Sequence, residues 1–100
     1  MPARAEEVLE SIAANVVRLR TVRGYTQEVL AEHAGLDLRY LQRVERAKVN
    51  LSVAVLVQLA DALEVAPGRL FRPASLPPAR RGRPPARRSP AARPNTISRR

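Results

Sequence analysis

The hundred-residue chain has no cysteine, no tryptophan, a single histidine and only three aromatic residues. Without cysteine there is no disulfide framework, no thiolate nucleophile and no thiolate metal site. His33 is the lone imidazole, too little to build a metal centre, and its position suits the surface of a helix. No glycine-rich phosphate loop is present, and loops of that kind are what cradle nucleotide phosphates. These absences argue against an enzyme, and no cofactor or metal is expected. Apolar runs fall well short of the ~18 residues that a membrane span needs, so no membrane partner is expected. The first residues, Met-Pro-Ala-Arg-Ala-Glu-Glu, are acidic where a secretory signal would be basic and then apolar. The expected location is therefore the cytoplasm.

Acidic residues are also scarce, but unevenly so. The formal charge is +9, from 18 Lys and Arg against 9 Asp and Glu. Through Arg72 there are ten basic residues and all nine acids, whereas from Pro73 onward there are eight Arg and no acid. A nearly neutral globular part, residues 1–72, thus precedes a strongly basic tail, residues 73–100. The tail is rich in Pro, Arg, Ala and Ser, a composition that buries too little apolar surface to offset chain entropy and is expected to be disordered. An acid-free basic tail suits a polyanion such as nucleic acid. Arginine outnumbers lysine seventeen to one, which resembles the imprint of GC-rich coding.

Apolar residues recur at three- and four-residue steps from about Glu6 to Arg23: Val8, Leu9, Ile12, Ala13, Val16, Leu19 and Val22. That period predicts a first helix, closed by Gly24. Thr26 is positioned to cap a second helix, Gln27 to Ala34, ended by Gly35. Asp37 opens a third through Arg46, and the Gly-containing turn between the two short helices makes a helix-turn-helix unit. Ser52 caps a fourth helix, Val53 to Leu63, and Pro67 fits the start of a short fifth.

Several residues line up in a register that resembles the Cro and phage-repressor helix-turn-helix family, also called Xre. They are Val16-Val17-Arg18-Leu19-Arg20, Gly24-Tyr25-Thr26-Gln27-Glu28, Leu30-Ala31, Ala34-Gly35-Leu36-Asp37, Tyr40-Leu41, Val44-Glu45-Arg46, Asn50, Ser52 and Leu59-Ala60 to Phe71. The resemblance implies an all-α, compact five-helix domain of the lambda-repressor-like type, close to small regulators such as restriction–modification controller proteins. It implies a sequence-specific transcriptional regulator that binds double-stranded DNA as a homodimer on an inverted repeat, with the third helix in the major groove, and hence association with the nucleoid.

By the same resemblance Leu38, Arg39, Gln42 and Arg43 read base edges. Thr26, Gln27, Tyr40, Arg46, Lys48 and Asn50 lie along the phosphates, Gln27 also bracing the third helix. Arg20 and Glu45 match an internal salt bridge. The chemistry suits these roles: Arg can fork onto guanine N7 and O6, Gln onto adenine, and Leu38 can meet a thymine methyl.

Two positions depart from the pattern. Ala47 stands where glycine is usual after the third helix, so either the exit of that helix differs or the fold tolerates a strained, left-handed alanine. Leu51 stands where many relatives have proline. The fourth helix is apolar on nearly all sides, which suggests a dimer surface of Val55, Val57, Leu63, Val65, Leu70 and Phe71. In the tail, Arg81-Gly82-Arg83 flanked by Arg80, Arg87 and Arg88 resembles an AT-hook, suited to the minor groove or to phosphate in general. Two other functions fit the same residues. One is an antitoxin that also binds a protein partner through its tail or fourth helix. The other is an architectural DNA coater.

Overall fold

The computed structural model describes residues 2–76, with side chains from residue 4 onward. Among these are four α-helices, α1 (Pro2–Val22), α2 (Gln27–Ala34), α3 (Leu38–Glu45) and α4 (Val53–Leu63), followed by a short 3-10 helix (Pro67–Phe71). The fold is all-α, and α2 to α4 fall where the caps and periods place them. The expected disorder of the tail and its AT-hook-like segment, Arg80 to Arg88, lie outside the described residues apart from its first four positions.

Helix starts follow from short polar side chains. Thr26 Oγ1 accepts from Val29 N, Asp37 Oδ2 from Arg39 N and Tyr40 N, and Ser52 Oγ from Val55 N. Each satisfies amide groups that a first helical turn leaves without a backbone acceptor. All four helices end in a left-handed residue, at Gly24, Gly35, Ala47 and Glu64. In each, the next amide reaches back five residues, as from Lys48 N to Arg43 O at 2.9 Å and from Val65 N to Ala60 O at 3.0 Å. Ala47, with φ 59°, is left-handed, so of the two alternatives the fold keeps the strained alanine; Glu64, also at 59°, is a second non-glycine residue in that region.

The core joins α1, α2, α3, α4 and the 3-10 helix through Val16, Leu30, Leu41, Leu59, Leu63 and Leu70, all wholly buried. Four features of the sequence reading change. Helix α1 starts at Pro2, four residues before the expected start at Glu6, because proline is tolerated in a first turn. Within the stripe Val8 and Val22 are exposed, and the buried face instead includes the polar Asn15. The fifth helix is 3-10 and not α. Finally, Leu63 and Leu70 are 0% exposed in a single chain, so they cannot belong to a dimer surface. They are one-chain core, which explains part of the apolar character of α4.

Asn15 is the polar member of that core. Its Nδ2 donates to Leu70 O at 2.9 Å and Arg72 O at 2.8 Å, and its Oδ1 accepts from Arg69 Nη1 at 3.3 Å. It thereby satisfies carbonyls at the end of the 3-10 helix that apolar packing would leave bare.

Candidate nucleic-acid interface

Helix α3 is strongly two-sided. Leu41, Val44 and Glu45 are buried, Leu38, Tyr40 and Gln42 are half-buried, and Arg39 and Arg43 are exposed. Leu38 and Tyr40 both pack against the core cluster. Only part of either side chain is therefore available outside the domain. The Arg43 guanidinium carbon sits 5.8 Å from the centre of the Tyr40 ring, a cation–π arrangement that at an exposed site is worth about 0.5–1 kcal/mol. His33 is exposed and meets Tyr25 edge to face at 5.1 Å. It is a packing residue of the surface.

Beneath α3 a polar chain runs through the domain. Arg20 of α1 grips Glu45 through Nε–Oε2 at 2.7 Å and Nη2–Oε1 at 3.1 Å, while its Nη1 donates to Tyr25 O at 2.9 Å. The Glu45 side chain is only 5% exposed, so this is a largely desolvated pair that uses both carboxylate oxygens. Glu45 Oε1 also accepts from Gln27 Nε2 at 2.9 Å, and Gln27 Oε1 accepts from Gln42 Nε2 at 3.4 Å. The first amide of α2 is thus held between the base of α3 and its outer face. Gln27 braces α3 as expected, and its contact with Gln42 fixes a residue on the groove-facing side. That second link escapes sequence reading, because it depends on how α2 and α3 cross.

The electrostatics sharpen the picture of a neutral domain. Along α3 and its exit, Arg39, Arg43, Arg46 and Lys48 are all exposed. Of the acids there, Glu45 is neutralised by Arg20 and Asp37 is engaged by amides at the helix start. One face therefore carries four exposed cations, none of them in a salt bridge among the described residues, although the domain as a whole is near neutrality. Asn50 is exposed just beyond them, and Thr26 lies exposed at the start of α2. Among the described residues no group of three or more His, Cys, Asp or Glu is placed to hold a metal ion. No helix of the described residues is long and apolar enough to cross a membrane.

A capped two-helix unit with a rigidly braced, cationic second helix defines a helix-turn-helix DNA-binding protein. The helix-turn-helix family model HTH_3 matches residues 18–70, and the chain belongs to this Xre-type family of DNA-binding transcription regulators. Among curated proteins, a hypothetical transcription factor of Neisseria meningitidis is 38% identical over 69 residues, 68% of this chain and 65% of that protein. The chain therefore spans just under two thirds of that relative's length. Among solved structures, the restriction–modification controller protein C.AhdI from Aeromonas hydrophila is 40% identical, with a TM-score of 0.61 over 63% of this chain and 96% of that one. A structure of C.Esp1396I bound to a 25 base pair operator site is 31% identical, with a TM-score of 0.59 over 64% of this chain and 84% of that one.

Proposed function

We propose that this protein is a sequence-specific transcriptional regulator that binds an inverted-repeat operator as a homodimer, with α3 in the major groove. The observation that carries the reading is the braced cationic face of α3: Arg39 and Arg43 exposed, Gln42 tied through Gln27 to the Arg20–Glu45 pair. Preorganised side chains lose less entropy on binding, and so discriminate better between bases. Arg39, Gln42 and Arg43 read base edges, with the free edge of Leu38 against a thymine methyl. Thr26, Gln27, Arg46, Lys48 and Asn50 hold phosphates and fix the docking register. That the similar C.Esp1396I is bound to a 25 base pair operator site supports operator binding as the function.

For the homodimer the surface consists of Val57, Val55 and Val65 with Phe71, the last 47% exposed. Val53, 75% exposed, joins them. Exposed apolar groups of this size on so small a domain favour burial against a second copy. Two copies would set their α3 helices in successive major grooves about 34–36 Å apart. The test is selection of binding sites from random DNA near physiological salt, for the full chain and for a truncation after Leu76. A palindromic motif kept by the truncation supports the reading. Loss of all sequence preference with the tail would replace it by the DNA coater.

A further inference from the structure

The hydrogen bonds beneath α3 have a direction. Glu45, held by Arg20 Nε and Nη2 and with a side chain only 5% exposed, has nothing but acceptors to offer. The carboxamide of Gln27 has an oxygen end and a nitrogen end of nearly the same shape, so its partners decide which way it faces. Toward a carboxylate only the nitrogen serves: Gln27 Nε2 donates to Glu45 Oε1 at 2.9 Å. Gln27 Oε1 is thereby left for Gln42, whose Nε2 donates to it at 3.4 Å. Reversing the Gln42 amide alone would set two carbonyl oxygens against each other. Polarity fixed at a buried ion pair is thus passed along two half-buried side chains to the outer face of α3.

What Gln42 has left follows by subtraction. A carboxamide carries one oxygen acceptor and two N–H donors. One donor is spent on Gln27, so Oε1 and a single N–H remain for a base. In the major groove adenine presents a donor at N6 and an acceptor at N7, the complement of that remainder. Guanine presents acceptors at both N7 and O6, so Gln42 Oε1 would face O6 with no proton between them. A Gln42 free to turn would offer both hydrogens outward and serve guanine as well.

We infer that Gln27 is a specificity-determining residue: by relaying the polarity of Glu45 it sets Gln42 to read adenine and to reject guanine. Gln27 acts here as a positioning residue, since only Gln42 touches the base. The inference rests on the reading of α3 as the groove-facing helix. It adds which purine one position takes and what enforces the choice. A simple brace would hold Gln42 equally well with a donor or an acceptor at residue 27. Under the relay the chemical sense of that contact, and not only its presence, selects the base.

Sites selected from random DNA by the full-length wild type and by Gln42→Ala locate the position: it is the one where Gln42→Ala loses its preference. Duplexes with adenine or guanine there are then titrated with the wild type, Gln27→Met and Gln27→Lys. Both substitutions leave the Arg20–Glu45 pair in place, and thermal unfolding checks that each variant folds. The wild type should favour adenine by about tenfold or more. Methionine has nearly the length of glutamine but no donor, so Gln42 is released and the two purines should bind within about threefold of each other. Lysine has donors and no acceptor. It can stay on Glu45 while turning the Gln42 oxygen inward, so the preference should invert to guanine. A merely structural role predicts weaker binding to both duplexes with adenine still favoured as in the wild type. That outcome in either folded variant would overturn the inference. So would a wild-type preference for guanine, or a motif that Gln42→Ala leaves unchanged at every position; in each case Arg39 and Arg43 remain free to read bases. Selection of no motif by the wild type would overturn the proposed function itself, and this inference with it.

Discussion

Ala47 and Glu64 hold left-handed backbone at the ends of α3 and α4, where a side-chain Cβ crowds the following carbonyl. Replacing Ala47 by Gly should stabilise the domain by about 1 kcal/mol, raising Tm by roughly 4–8 °C in calorimetry of a domain this small. No change or a fall would mean that the exit of α3 is not left-handed in solution. The Ala47 strain is visible in the sequence, because the family register puts glycine there. Glu64 is not, since a glutamate after Leu63 reads as any polar loop residue. Asn15 is equally hidden: it sits beside an apolar stripe, and nothing local tells that its amide will meet the carbonyls of Leu70 and Arg72. Asn15→Leu keeps the bulk but strips the donor, and should cost about 1–3 kcal/mol in denaturant unfolding. A neutral result would remove Asn15 from the polar links that close the fold.

At the scale of the element, α3 is set by three separate features: the Asp37 cap, the buried Leu41 and Val44, and the Glu45 anchor. The cap and the period are local and could be read directly. The Arg20–Glu45 pair and the bracing Gln27 were legible only by resemblance, for their partners lie on other helices. The link from Gln27 to Gln42 required the fold. These links differ in what they control. Glu45→Ala leaves a partly buried guanidinium unpaired and should destabilise the domain by about 3–5 kcal/mol. Gln27→Ala leaves the ion pair whole, so stability should change by under about 1 kcal/mol, the scale of a single ordinary hydrogen bond. Operator affinity should still drop severalfold as Gln42 loses its brace, measured by titration of labelled duplex. Equal loss of stability in the two variants would show that Gln27 is merely structural. Helix α4 teaches the opposite lesson. Its apolar surroundings suggested one large interface, yet Leu56, Leu59, Ala60 and Leu63 face the chain's own core. A nearly uniform apolar helix has too weak a period to tell the two faces apart.

For the whole molecule, charge and specificity are separated along the chain. The domain places four exposed cations on one face, and the tail carries most of the +9. Binding to DNA should therefore fall steeply with salt, and the slope of log affinity against log salt should shrink by several units when the tail is removed after Leu76. A slope unaffected by truncation would mean that the tail does not touch phosphate. Association of two copies is tested separately. Val57→Glu puts a charge into the proposed apolar contact and should shift sedimentation from dimer to monomer, whereas an unchanged dimer would assign the contact elsewhere.

The most direct test of base reading by α3 is a comparison of sites selected from random DNA by the wild type and by Arg43→Ala. Arg43 is exposed on α3, where its guanidinium sits over the Tyr40 ring, so the variant should fold at a cost of at most about 1 kcal/mol. Selection should lose its preference at one base pair per half-site, a guanine, at a cost of about 1–3 kcal/mol, and keep the rest of the motif. An unaltered motif with uniformly weaker binding would show Arg43 to be a phosphate contact, and would contradict base reading by this face of α3.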